Sequence, residues 1–143
     1  MATTQSPERV LVVDDEESIL HFLKAALQRK SYQVLTASNG KEAMDLYAEH
    51  RPDLVILDIR LPGEDGISVL RKIRKKDRKA LVIMITGYGS KQSISEAMKL
   101  GASDYIAKPF DLKDMLRCVG DHLSLGNLAR SAENLKPRLP RTP

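Results

Sequence analysis

Five polar residues stand at the ends of short, mostly apolar runs, and their types suggest what they could do together. Val10 to Val13 leads into Asp14 and Asp15, Leu54 to Leu57 into Asp58, Leu81 to Ile85 into Thr86, and Asp104 to Ala107 into Lys108. Two carboxylates about 4 Å apart repel by roughly 4 kcal/mol at an effective dielectric near 20, so three in one place invite a cation or a proton. An all-oxygen donor set predicts Mg²⁺, which keeps several waters and leaves positions open for phosphoryl oxygens. Lys108 adds a point charge for one oxygen of such an anion and Thr86 a hydrogen-bond donor for another. Asp58 is then placed to accept a phosphoryl group. Taken singly, each has an ordinary alternative: an acid after a strand caps the next helix, a threonine sits in a turn, a lysine is solvated. The chemistry depends on whether the chain brings all five to one place.

The elements that must position them can be read from apolar spacing. Leu54 to Leu57 is an unbroken apolar run of strand length, the pattern of a strand buried on both faces in a parallel sheet. Val10 to Val13, Tyr32 to Ala37, Leu81 to Ile85 and Asp104 to Ala107 supply four more strands. Between them, apolar residues recur at helical spacing. Ile19, Leu20, Phe22, Leu23, Ala26 and Leu27 mark a helix over Glu16 to Lys30, and Ala43, Met44, Leu46 and Tyr47 mark one from Asn39-Gly40 to His50, stopped by Pro52. Ile67, Val69, Leu70 and Ile73 mark a third, Ser90 to Leu100 a fourth, and Leu112, Met115, Leu116, Val119 and Leu123 a fifth, capped by Asp111. Five strands alternating with five helices imply an α/β, doubly wound parallel sheet, because right-handed crossovers put helices on both faces and all strand ends on one edge. That edge is where such sheets place ligands.

Composition sets the outer limits. A chain of 143 residues fits one domain and can bury roughly 68 to 70% of its unfolded surface. The expected organisation is an N-terminal arm over residues 1–8, a folded domain over 9–128 and a linker-like, proline-interrupted tail over 129–143. Cys118 is the only cysteine and has no partner within the chain, so no internal disulfide is expected, and it is read as structural or incidental. No secretory leader or long apolar span is seen, which implies a cytoplasmic address and no membrane contact. The formal net charge of +4 comes largely from the tail. Arg71 to Lys79 is a basic cluster without interleaved aromatics, read as a solvated helix end rather than a nucleic-acid site. His21, His50 and His122 are scattered on helices and are assigned no ligand role.

These residues and their spacing resemble the receiver domains of two-component response regulators, over roughly Arg9 to Leu128. The resemblance implies a flavodoxin-like sheet in the order 2-1-3-4-5. It implies that Asp58 accepts a phosphoryl group from a phosphohistidine on a sensor histidine kinase, giving an acyl phosphate that later hydrolyses. Asp15 and Asp58 would bind Mg²⁺ directly, Asp14 through a water, and the backbone carbonyl of Arg60 would be a further ligand. Lys108 would contact the phosphoryl oxygen and precede Pro109 through a cis bond. Thr86 and Tyr105 stand where the family has its switch pair, the hydroxyl turning to the phosphate as the ring moves inward. The run ITGYGS at Ile85 to Ser90, with AMKLGASDYIAKPFD at Ala97 to Asp111, is most similar to receivers of enhancer-binding transcription activators. An output domain or a downstream protein would then be the partner.

Three functions compete. The first is a phosphorylation-controlled switch that alters the surface of its fourth helix, fifth strand and fifth helix, with possible homodimerisation through Ile94, Ala97, Met98, Leu112, Leu116 and Val119. The second is a phosphatase with an aspartyl nucleophile, against which Arg60 argues, because such enzymes of the haloacid-dehalogenase type want a second acid at that place. The third is a binding module that is never phosphorylated. Arg60 and Tyr88, each two positions beyond a site residue, are expected to tune the lifetime of the phosphate.

Overall fold

The runs rich in valine, isoleucine and leucine become five strands: β1 (Arg9–Val13), β2 (Gln33–Ala37), β3 (Leu54–Asp58), β4 (Leu81–Thr86) and β5 (Asp104–Ala107). They pair in parallel in the order β2-β1-β3-β4-β5. The computed structural model describes residues 7–87 and 91–135, with side-chain detail as far as Gly126. Five helices alternate with the strands: α1 (Glu17–Arg29), α2 (Gly40–His50), α3 (Gly66–Lys76), α4 (Lys91–Lys99) and α5 (Leu112–Leu135). Tyr88, Ser90, most of the expected N-terminal arm and the last eight residues of the expected tail lie outside the described residues.

Successive residues of a strand point to opposite sides of the sheet, and here they feed two separate cores. Val10, Val12, Leu54, Ile56, Ile83 and Ile85 pack with Leu23 and Leu27 of α1 and Met115, Val119 and Leu123 of α5. Leu11, Val13, Val55, Leu57, Val82 and Met84 pack on the other side with residues of α2, α3 and α4. This is why the strands read as continuous apolar runs: both phases of the alternation are buried.

Local chemistry fixes where the helices start. Asn39 caps α2 by accepting from the Glu42 amide at 2.9 Å, and the Glu42 carboxylate in turn accepts from the amide of Ser38, the residue before the cap, at 2.8 Å, a variant of the capping box. Asp65 caps α3 through the Ser68 amide. Arg74, one of the basic cluster, is more than a solvated charge. Its guanidinium donates to the carbonyls of Ala80 at 2.7 Å, Leu100 at 3.2 Å and Gly101, tying the end of α3 to the turn between α4 and β5.

Two expectations change. Helix α5 continues past Leu128 to Leu135, into the stretch read as linker. The apolar surplus counted for dimerisation is smaller than the sequence suggested. Ala97 and Val119 are core residues, and Leu112 and Leu116 pack partly buried against the α1/α5 core, whereas Met98 remains exposed. Among the described residues no helix is long and apolar enough to cross a membrane.

Candidate functional site

The carboxyl ends of β1, β3, β4 and β5 deliver the five polar residues to one edge, as the alternation requires. Asp14, Asp58 and Lys108 continue the phase of Val12, Ile56 and Ile106, which face α1 and α5. Thr86 continues the opposite phase, that of Val82 and Met84, toward α3 and α4. The Lys108 amide donates to the Thr86 carbonyl at 2.7 Å and the Ile59 amide to the Ile85 carbonyl at 3.0 Å, so pairing persists to the last residue of β4. The peptide between Lys108 and Pro109 is cis.

Burial at this edge is uneven, with Asp15 exposed and Lys108 partly buried. Asp14 is 0%, Asp58 3% and Thr86 4% exposed. The Lys108 ammonium lies 2.8 Å from Asp14 Oδ2, 2.9 Å from Asp58 Oδ2 and 2.9 Å from Glu16 Oε1, so one cation serves three acids. Asp58 Oδ1 accepts from the Arg60 amide at 3.0 Å, and Asp14 Oδ1 from the Glu16 amide at 2.9 Å. Asp14 Oδ2, buried beside the ammonium, has no aligned hydrogen bond of its own. Carboxylate oxygens of Asp14, Asp15 and Asp58 fall within 4.8 Å of one another.

The titration behaviour follows from this crowding. Burial pushes the Asp14 carboxyl above the usual carboxylate range, a rise that its contacts with Lys108 and the Glu16 amide only partly offset. For Lys108, burial works against the charged form. Its contacts with Asp14, Glu16 and Asp58 outweigh that and hold the ammonium's pKa above its ordinary value. A buried acid oxygen without an aligned donor, inside a cluster of oxygen donors, fits a hard divalent cation. No nitrogen or sulfur donor belongs to the cluster.

Two glycines shape the loop after β3. Gly63 has φ of 81°, a left-handed conformation that a side chain disfavours. Gly66 opens α3 so close to β3 that a Cβ there would collide with the Asp58 carbonyl oxygen. The loop can therefore fold back directly beside the acid. A cavity of about 450 Å³, lined by Arg60, Asp65, Thr86, Gly87 and Ser93, opens next to Thr86.

The structure thus brings together Asp14, Asp15, Asp58 and Lys108, with Thr86 at the adjoining strand end. Tyr105 lies on β5 with its side chain outward, 45% exposed. Sequence reasoning missed Glu16, which it placed in the first turn of a helix. Glu16 is instead the residue before α1, makes no cap with its side chain, and turns its carboxylate to Lys108. The acidic run Asp14 to Glu17 was the available signal.

A family described as the response regulator receiver domain matches residues 10–119. Sporulation initiation phosphotransferase F of Bacillus subtilis is 39% identical over 118 residues, covering 82% of this chain and 95% of that protein. Regulatory protein AtoC of Escherichia coli is 35% identical over 131 residues, covering 92% of this chain but 28% of that protein. Among solved structures, a CheY-like receiver domain protein from Methanospirillum hungatei superposes with a TM-score of 0.84 at 31% identity, covering 87% of this chain and 99% of the other. NtrX from Brucella abortus gives 0.86 at 31% identity, covering 96% of this chain and 32% of NtrX. The chain therefore spans nearly all of some relatives and under a third of others.

Proposed function

The chain belongs to the response regulator receiver domain family of two-component systems, and on that premise we propose that it is a switch charged by phosphorylation of Asp58. The observation that carries this reading is the placement of Asp58: nearly fully buried at the end of the central strand, with one carboxylate oxygen on the Lys108 ammonium and the carboxylates of Asp14 and Asp15, beyond the neighbouring β1, within 4.8 Å. A sensor histidine kinase is the proposed donor. An Asp58 oxygen attacks the phosphorus of the phosphohistidine, the P–N bond breaks, and the imidazole leaves with its electron pair. The product is an acyl phosphate, which water later hydrolyses to restore the carboxylate.

The residues divide that work. Lys108, which bridges three acids here, is placed to follow the charge onto a phosphoryl oxygen, and the Thr86 hydroxyl to donate to another. Asp14, Asp15, Asp58 and the Arg60 carbonyl would hold Mg²⁺, which when bound offsets the charge of the acids and of the incoming group. Moving a two-state equilibrium from 1:99 to 99:1 takes about 5.5 kcal/mol of differential binding, which the new charge-assisted bonds to Thr86 and Lys108 could largely supply. Tyr105 would be the responding group: its ring is outward in this structure, and inward movement would reshape the face of α4, β5 and α5.

The proposed domain is residues 9–128, and the helix running on to Leu135 supports a rigid connection from that face to what it controls. Control of an output domain or partner protein in transcription is supported by the regulatory protein among the relatives, and the proposed place of action is the cytoplasm. Homodimerisation on phosphorylation would use the same face, where Met98 and Tyr105 are exposed. The phosphatase reading has Arg60 against it, in place of a second acid, and the unphosphorylated binding module gives Lys108 no partner but the acids.

The test is direct. Incubation with a small acyl phosphate donor and Mg²⁺ should add a single phosphoryl mass, labile in base, and chelation of Mg²⁺ should suppress it. Asp58→Asn should abolish the addition while the circular dichroism spectrum stays unchanged. Equal incorporation in that variant would overturn the assignment.

A further inference from the structure

A second group of ligand-type side chains assembles away from the acidic edge, where α5 packs on β5. Cys118 and His122 are four residues apart on α5, one helical turn, and so project from the same face. Asp104, the first residue of β5, meets them both. Its Oδ2 lies 3.5 Å from Cys118 Sγ and 3.2 Å from His122 Nε2, and the ligand atoms of all three fall within 4.8 Å of one another. All three residues are half-buried, with 22% of the His122 and 47% of the Asp104 side chain still exposed, so the group can be approached from solvent.

We propose that Asp104, Cys118 and His122 form a binding site for one divalent transition ion of the zinc class, with water in the fourth position. The spacing argues for it. Zinc bonds of about 2.0 Å to oxygen, 2.0–2.1 Å to nitrogen and 2.3 Å to sulfur, set tetrahedrally, separate oxygen from sulfur by about 3.5 Å and oxygen from nitrogen by about 3.3 Å. The two distances from Asp104 are close to those edges, so an ion could enter with little movement of the ligands. The donor set argues for it too. A thiolate and an imidazole with one carboxylate suit zinc or cobalt, whereas Mg²⁺ prefers the all-oxygen cluster of Asp14, Asp15 and Asp58. The two clusters of one small domain would sort cations by donor softness.

Without an ion, the same atoms hold α5 against β5 by hydrogen bonds. Burial and the neighbouring Asp104 charge push the Cys118 thiol up to about 12, so the thiol is protonated and donates to the carboxylate. Binding would displace that proton and replace two hydrogen bonds by three coordinate bonds. The clamp would close beside Tyr105, the next residue of β5.

Cobalt(II) titration of the untagged, chelator-treated chain distinguishes the site from a purely structural cluster. With the acidic edge saturated by Mg²⁺, one equivalent should bind with a thiolate-to-metal charge-transfer band, and zinc should displace it one for one. Cys118→Ser should remove the band. His122→Gln should weaken binding by more than about 100-fold, beyond the usual effect of losing an outer partner, while Asp58→Asn leaves both band and affinity unchanged. His122→Gln carries the test if the cysteine variant fails to fold. The proposal is overturned if the folded chain gives no charge-transfer band at a large excess of cobalt. It is equally overturned if binding survives in both the Cys118 and His122 variants and disappears in Asp58→Asn.

Discussion

β3 and β5 reach the same edge of the sheet but are built to opposite specifications. β3 is paired on both sides, with β1 and β4, and all five of its residues are buried. β5 is an edge strand paired only with β4, and Tyr105 and Ala107 on it are exposed. A displacement of β3 would disturb both cores at once, whereas β5 can shift a side chain by repacking one surface. The difference separates two tasks: the acid that takes the proposed charge sits where nothing yields, and the proposed reporting residue sits where little resists.

Ile56→Ala in β3 tests the rigid side of this contrast and should have the largest effect, a loss of roughly 2–5 kcal/mol in unfolding free energy. A urea transition measures it, and a loss below about 1 kcal/mol would mean that β3 is not the fixed element. Asp14→Asn should act in the other direction. Asp14 is fully buried and its charged form is disfavoured, so in the absence of divalent ions the substitution should stabilise the fold by about 0.5–2 kcal/mol. Added Mg²⁺ should narrow that gap, because the native acids gain more from binding than the variant does. A destabilised variant would show that the Lys108 contact, not crowding, dominates. The smallest effect belongs to Tyr105→Ala, expected to change unfolding free energy by no more than about 0.5 kcal/mol. Thermal melts of the unphosphorylated chain check it, and a much larger loss would remove the contrast with β3.

Much of this was legible because the strands announce themselves. Runs such as Leu54 to Leu57 are apolar in both phases, so a sheet covered on both sides followed, and with it one shared edge for Asp14, Asp58, Thr86 and Lys108. The misses share a different cause. Glu16 was placed on a helix because acids favour first turns, yet the reach of its side chain to Lys108 depends on packing 92 residues away in sequence. Cys118 and His122 carry a one-turn spacing that sequence shows, but their meeting with Asp104 exists only once α5 lies on β5. Helix α5 passed Leu128 unnoticed because its apolar stripe ends at Leu123, and the next chain-breaking proline is Pro137.

The alternation that splits the strands between two cores has a further consequence for heredity. Adding or deleting one residue within β4 would turn Thr86 over to the α1/α5 side and bring Met84 with it, away from the core it fills. The same frame that keeps oil on the correct side keeps the hydroxyl there too. An insertion or deletion in β4 ahead of Met84 that turns the hydroxyl over therefore also costs the core its methionine.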